Sequence, residues 1–421
     1  MEAHSEELGL GRLGRRELLA MVSAIMALMA LAIDLMLPAF GDIEEAFNLG
    51  EGTASTEQVI TVFFFGLALA QLVYGPLADA FGRKVVLYLS IGVYLVGAVI
   101  SALAPTFTLL LIGRFIWGVG AAGARVVAVA IIRDRFAGAK MAKAMSQMMA
   151  IFVIVPVIAP TLGAGVLIFA PWRALFWLCG GFASVIAVWS LRLDETLEPA
   201  NVRPLALGNT LTAYRQVART PLTFGYTMSS LFQQGVFTTY LAVSPKVVGD
   251  NVFGYEDQFP FIFGAIAILF GLAAVINGRI VERLGIDGVV NRTFAFLGPA
   301  VVLLMVIGIV GDGRPPIWLY MPVLGLILAS FMFLMPNLGS ASMEPLGELA
   351  GSASALTGAV RVAGGAALAT VVSPLMQDSA TDLAIGVAIM CALSGICVWL
   401  VRRGADRRLL TQPVVTEVAS V

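Results

Sequence analysis

Histidine is almost absent from this chain of 421 residues, His4 being the single example, and no His/Cys or Ser/His arrangement can be assembled within its apolar segments. Nucleophilic catalysis of the triad kind is thereby excluded. The three cysteines, Cys179, Cys391 and Cys397, show neither CxxC nor zinc-ligand spacing, so each reads as a small buried residue and no metal or disulfide framework is implied. There is no GxxxxGK[ST] loop to cradle nucleotide phosphates. Two stretches, from Gly9 to Gly14 and from Gly118 to Gly123, spell GxGxxG, but neither follows a strand, and no dinucleotide cofactor is expected. Charge is also scarce, at 13% of residues with a net value of -1, which leaves no general attraction for nucleic acid.

What the chain has instead is apolar length. Hydrophobic residues make up 59% of it and the mean hydropathy is +0.92, more than a soluble domain of this size can bury. Runs of spanning length lie near 17–40, 56–78, 85–104, 107–132, 144–170 and 172–192, then near 221–245, 259–280, 290–311, 315–336, 350–375 and 382–402. Twelve spans predict an all-α integral membrane protein. The first run follows Arg12, Arg15 and Arg16 but is too long for a signal peptide and lacks a small-residue cleavage site. The expected order is a tail (1–16), a six-helix bundle (17–192), a polar linker (193–220) interrupted by Pro199, Pro204 and Gly208, a second bundle (221–403) and a tail (404–421).

With both ends cytoplasmic, twenty Lys and Arg residues fall on the inner side, against Arg173, Lys246 and Arg314 outside. The positive-inside rule therefore fixes that orientation. The frequent alanine, valine, glycine and arginine fit a GC-rich bacterial genome, and hence an inner membrane. The halves also repeat. Gly75, Asp79 and Gly82 after span two recur as Gly278, Glu282 and Gly285 after span eight, an offset of 203 residues. Such repetition marks secondary transporters with a site at the interface between halves.

Asp34 is the carboxylate set deepest in any apolar run, and an intramembrane acid is a functional candidate by default. Arg114 in span four lies at similar depth, which predicts an Asp34–Arg114 pair as the proton-coupling element, with a fixed structural pair as the alternative. At 100° per residue Gly118 and Arg125 share the inward face of Arg114. Pro156 and Pro160 bend span five, while Gly163 and Gly165 leave room for a helix of the other half, as in a hinge. Arg361, near the midplane of span eleven, is expected to face the cavity and either contact an electron-rich or anionic substrate group or balance Asp34 across the interface, with a buried structural ion pair as the alternative. Met36, Phe63, Phe64, Phe65 and Tyr74, with Gln233, Gln234, Thr238 and Tyr240 of span seven, are expected to line that cavity.

The segment Gly75-Pro-Leu-Ala-Asp79-Ala-Phe-Gly82-Arg83-Lys84 resembles motif A of the major facilitator superfamily, and Arg114-Phe-Ile-Trp-Gly118-Val-Gly120 resembles its motif B, with Trp117 where the family usually has glutamine. The stretch from Pro156 to Gly165 is similar to the antiporter motif C. With Asp34-Leu-Met-Leu-Pro38, Ser244-Pro245 and Pro336-Asn337, the whole chain resembles twelve-span drug:proton antiporters of the Bcr/CflA type. The resemblance implies a major facilitator fold of two pseudo-symmetric bundles, a motif A network that latches the cytoplasmic side shut, and a monomer. It also implies export of small amphipathic drugs in exchange for protons. A carrier of a polar metabolite or sugar, or a transport-inactive sensor, stands as the alternative.

Overall fold

The computed structural model describes residues 13–49, 55–136, 138–202, 207–249 and 252–411. His4, Arg12, Arg203, Pro204 and the last ten residues lie outside them. Its helices in chain order are α1 (Arg15–Asp34), α2 (Phe40–Phe47), α3 (Glu57–Phe81), α4 (Arg83–Leu103), α5 (Phe107–Arg135), α6 (Gly138–Leu167) and α7 (Arg173–Trp189), then α8 (Leu207–Arg219), α9 (Pro221–Val248), α10 (Phe259–Val310), α11 (Ile317–Ala329), α12 (Phe331–Met343), α13 (Ala350–Val372) and α14 (Ala380–Thr411). Among the described residues no strand is present.

Nine segments of the described chain are long and apolar enough to cross a membrane. Three further crossings complete the twelve. One of the nine, the 52 residues of α10, holds two crossings separated at Gly285, where φ is +68°. The others are α6, 30 residues long with Pro156 and Pro160 inside it, and α9, which is diluted by Ser, Thr, Gln and Tyr side chains that it buries inside the protein. Around the outside, large apolar residues such as Leu69, Val96, Val185, Leu272 and Val302 are more than half exposed. That surface is stable only against hydrocarbon.

The repeat read from the sequence is a repeat of backbone geometry. Gly82 (φ +92°) breaks the chain between α3 and α4 as Gly285 breaks α10, and both take conformations that L side chains rarely adopt. Two spans differ from expectation. Span one stops as a helix at Asp34 and continues as a 3-10 turn, Leu37–Ala39, and α2, because Pro38 lacks an amide hydrogen and disfavours helix before it. Span ten is interrupted at Ser330 between α11 and α12, four to six residues ahead of Pro336, whose ring crowds the Met332 carbonyl. The linker is not all irregular either, since it forms α8, whose Tyr214 hydroxyl donates to the Leu72 carbonyl at 3.0 Å.

Glycine sets the first bundle's tightest crossing. A Cβ on Gly118 would sit 2.1 Å from the Phe63 carbonyl oxygen, and one on Gly66 2.1 Å from that of Phe115, so α3 and α5 touch backbone to backbone. Gly75 meets nothing within 4 Å. Gly118→Val should therefore cost about 1–3 kcal/mol of stability by overpacking. Thermal unfolding in detergent should show a lowered transition for Gly118→Val and an unchanged one for Gly75→Ala; equal behaviour would refute the crossing.

Candidate functional site

A cavity of about 160 Å³ lies between the halves, bounded by α1, α3, α5 and α6 on one side and α9, α10, α12 and α13 on the other. Asp34 reaches it from the broken end of α1, Arg125 from α5 and Arg361 from α13. Aromatic rings form much of the wall. Tyr240 stacks on Phe263 with centroids 5.8 Å apart, and Phe237 on Phe331 at 4.9 Å. Phe64 and Gln234 complete the expected residues found there, with Pro156 of α6 at the edge.

The other six belong elsewhere: Phe63 covers the Arg114 guanidinium, Tyr74 packs on Gly123, the Thr238 hydroxyl accepts from Gln234 at 3.2 Å, and Gln233, Phe65 and Met36 turn away. Gln233 lies 100° around α9 from Gln234 and turns to the Cys391 sulfur at 4.0 Å. Phe65 is likewise rotated away from Phe64 and packs on the core. Met36 follows the helix break, so helical periodicity does not carry it to the cavity, and it is buried in the core instead.

The expected Asp34–Arg114 pair is not formed. Arg114 is fully buried, with Nη1 donating to the Ala32 carbonyl at 3.0 Å and Nε to the Val59 carbonyl at 3.2 Å. Its guanidinium lies 4.5 Å from the Phe63 ring centroid and 4.9 Å from that of Trp117. Ala32 and Asp34 are two residues apart, about 200° around the helix, so Arg114 approaches α1 from the side away from the cavity. Trp117 packs against the backbone of Gly97 and edge-on to Tyr94 and Phe176, an aromatic cluster where a polar side chain was expected.

Gly163 also has a different neighbour. Its Cβ would stand 2.1 Å from the Leu35 carbonyl oxygen, so it admits α1 of its own half, just past the break. Gly165 faces open space in a recess of about 920 Å³ that also holds Lys246. The other half meets α6 near Val157, against Gly264 of α10.

At the arginine-rich face, motif A forms a network whose partners lie in the first half and at the start of the linker. Arg83 Nη1 is 2.5 Å from Asp79 and its Nε 2.9 Å from Asp134. The carboxylate at the N-terminus of α4 is not Asp79 but Glu195, which accepts from the Arg83 and Lys84 amides at 2.9 and 3.0 Å. Lys84 Nζ donates to the Leu191 carbonyl. No partner from the second half joins this network among the described residues. Gly82 brings Glu195 in closely, since a Cβ there would meet its carboxylate at 2.6 Å. At the opposite face one ion-pair cluster does cross between halves: Lys246 of α9 lies 2.9 Å from Glu44 of α2 and 3.1 Å from Glu57 of α3. The sequence singled out none of these as partners, because Glu57, Asp134 and Lys246 sit at helix ends and Glu195 in the linker, where charge is ordinary.

Two repeated helical bundles around a central cavity with buried charges define a secondary transporter. The chain belongs to the Major Facilitator Superfamily, whose family model matches residues 22–370. It is 30% identical over 379 residues to an uncharacterised MFS-type transporter, YdgK, of Bacillus subtilis, covering 86% of this chain and 89% of that protein. It is 26% identical to a bicyclomycin resistance protein homologue of Haemophilus influenzae, covering 83% of this chain and 87% of that one. The crystal structure of a D-xylose-proton symporter shares the fold with a TM-score of 0.72 at 14% identity, over 90% of this chain and 97% of that chain.

Glu195 supplies a pH-dependent term. Burial alone would raise its carboxyl, but hydrogen bonds from the backbone amides of Leu197, Arg83, Lys84 and Thr196 hold it below its ordinary value. The stabilisation is therefore complete above the ordinary value of 4.5 and is lost as pH falls through the lower folded value. Glu195→Gln should cost about 1 kcal/mol at neutral pH, as for a partly exposed cap. Melting curves should show the gap from wild type closing as pH drops below 4.5; a gap that widens there would contradict the assignment.

Proposed function

We propose that this transporter exports small amphipathic molecules in exchange for protons, and that Asp34 carries the exchanged proton. One observation bears the weight: Asp34 is the sole carboxyl in the lining of the cavity between the halves, it is 4% exposed, and it makes no ion pair among the described residues. Such a group has no structural partner to lose when it gains or releases a proton. The mostly aromatic wall favours an amphipathic substrate over a sugar, whose hydroxyls would need many more polar partners. The name of the Haemophilus relative, a bicyclomycin resistance protein homologue, points the same way.

In this reading, substrate enters from the arginine-rich face while Asp34 is ionised. The halves then rock, and Lys246 parts from Glu44 and Glu57 to open the opposite face. A proton taken up there by Asp34 releases substrate and resets the cycle. Asp34→Asn should lower uphill efflux at least tenfold and abolish substrate-induced proton release, with folded protein at wild-type levels. Uphill efflux together with proton release persisting in that variant would rule out Asp34.

The charge bias assigns the arginine-rich face to the cytoplasm. In a background without native cysteines, an impermeant maleimide added to intact cells should label Asn48→Cys and spare Gln216→Cys. The reverse pattern would invert the protein.

A further inference from the structure

The central cavity holds two guanidinium groups and one carboxyl, and the opposite charges do not meet. Arg125 and Arg361 both reach the cavity, as Asp34 does, yet no Lys or Arg nitrogen approaches Asp34 within ion-pair distance among the described residues. Arg125 has no hydrogen-bond or ion-pair partner there, and Arg361 has only the Met335 sulfur, 3.2 Å from Nη1. The two guanidinium-bearing side chains line one cavity with Asp34 and Tyr240. Opposite charges in a medium of low permittivity attract strongly, so a fold that keeps them apart leaves each pole open to a ligand.

We propose that the substrates of this cavity are amphipathic zwitterions, with the anionic group between Arg125 and Arg361 and the cationic group at Asp34. This rests on the export reading above and names its substrate class. Arg125 belongs to the first half and Arg361 to the second, so a carboxylate between them removes a repulsion across the interface that rocks. The substrate's apolar body lies along Phe64, Phe237 and Phe331. A route to the anionic pole is present, because Arg361 also borders a second cavity of about 130 Å³ lined by hydroxyls, including those of Thr227, Ser230, Ser354 and Thr357, on the arginine-rich side.

The charges also give the exchange its sign. A proton on Asp34 and a substrate cation compete for one carboxylate, so binding of either weakens the other by the same factor. A purely anionic substrate would bind better with Asp34 protonated and would travel with the proton. The titratable and charged groups facing Asp34 across the cavity are Tyr240 of α9, Arg125 of α5 and Arg361 of α13, so no other carboxyl in the lining shares the response.

Norfloxacin, its ethyl ester and its N-acetyl derivative keep one aromatic body while presenting a zwitterion, a cation and an anion. With purified full-length protein in nanodiscs, norfloxacin should bind at least tenfold more tightly than either derivative, and binding should weaken on acidification. Arg361→Gln should weaken norfloxacin at least tenfold, while the ester, which has no carboxylate and loses one repelling charge, binds no worse; a size-exclusion profile matching wild type shows that the variant is folded. Asp34→Asn should bring norfloxacin to the affinity of the N-acetyl compound and remove the pH dependence. Ester binding equal to norfloxacin, or Arg361→Gln without effect, would overturn the zwitterion assignment. If neutral chloramphenicol were still exported through Asp34, the export reading would stand without it. Absence of binding and export for all four compounds would remove both.

Discussion

A charged side chain within a bilayer persists only where protein groups replace water around it, and Arg114 meets that condition by closing the broken end of α1. The last carbonyls of a helix lack intrahelical partners and form the negative end of its dipole. Arg114 supplies a hydrogen bond and a positive charge there, at the Ala32 carbonyl, while Nε holds the Val59 carbonyl of α3 and two aromatic rings cover the guanidinium face. Its Nη2 finds no partner, so the arrangement satisfies most but not all of its donors. Removing the guanidinium would strip the Ala32 carbonyl of that donor in a dry interior, a cost of about 1–3 kcal/mol, whereas the Val59 carbonyl keeps its place in the α3 ladder. The guanidinium thus holds the helix end that Pro38 imposes on span one, and that end fixes where Asp34 points.

The glycines around it have the same logic. Arg114 reaches α1 and α3 because Gly118 and Gly66 let α5 lie directly on α3, and Gly97 lets α4 lie on Trp117. Four helices of the first half are consequently joined by backbone contact, aromatic packing and one buried cation. A site built on so rigid a frame keeps Asp34 and Arg125 in fixed relation, whereas Arg361 belongs to the other half and moves with it. The cavity is therefore one half template and one half moving jaw.

Much of this was legible in the chain. Run length and charge asymmetry yield the membrane class, and Gly82 and Gly285 betray the repeat because their backbone geometry tolerates little else. Asp34, Arg125 and Arg361 stand out because charge in an apolar run is expensive. What escaped reading depends on direction and not on composition. Depth along a span says that Asp34 and Arg114 are level but not that they lie on opposite sides of α1. The identity of Glu195 as the cap of α4 depends on a linker folding back over more than a hundred residues. Met36 and Gly163 were misplaced for a single reason: both depend on the helix break at Asp34, which a count of apolar residues passes over.

The two faces differ in what motion would cost. The Arg83 network joins Asp79 and Asp134 of the first half with Glu195 at the start of the linker, and no residue of the second half, so rocking carries it as a unit. Lys246 instead crosses to Glu44 and Glu57, and any opening of that face must separate them. Glu44 is partly exposed and its pairing is worth a few tenths of a kcal/mol to about 1 kcal/mol, whereas Glu57 is 2% exposed and separates from its cation at higher cost unless water enters as the face opens. Entry of water is what opening brings. The clamp is thus weakened by the motion it opposes, and a difference of about 1–2 kcal/mol in cavity occupancy or in the protonation of Asp34 is of the right size to shift the balance between the two faces.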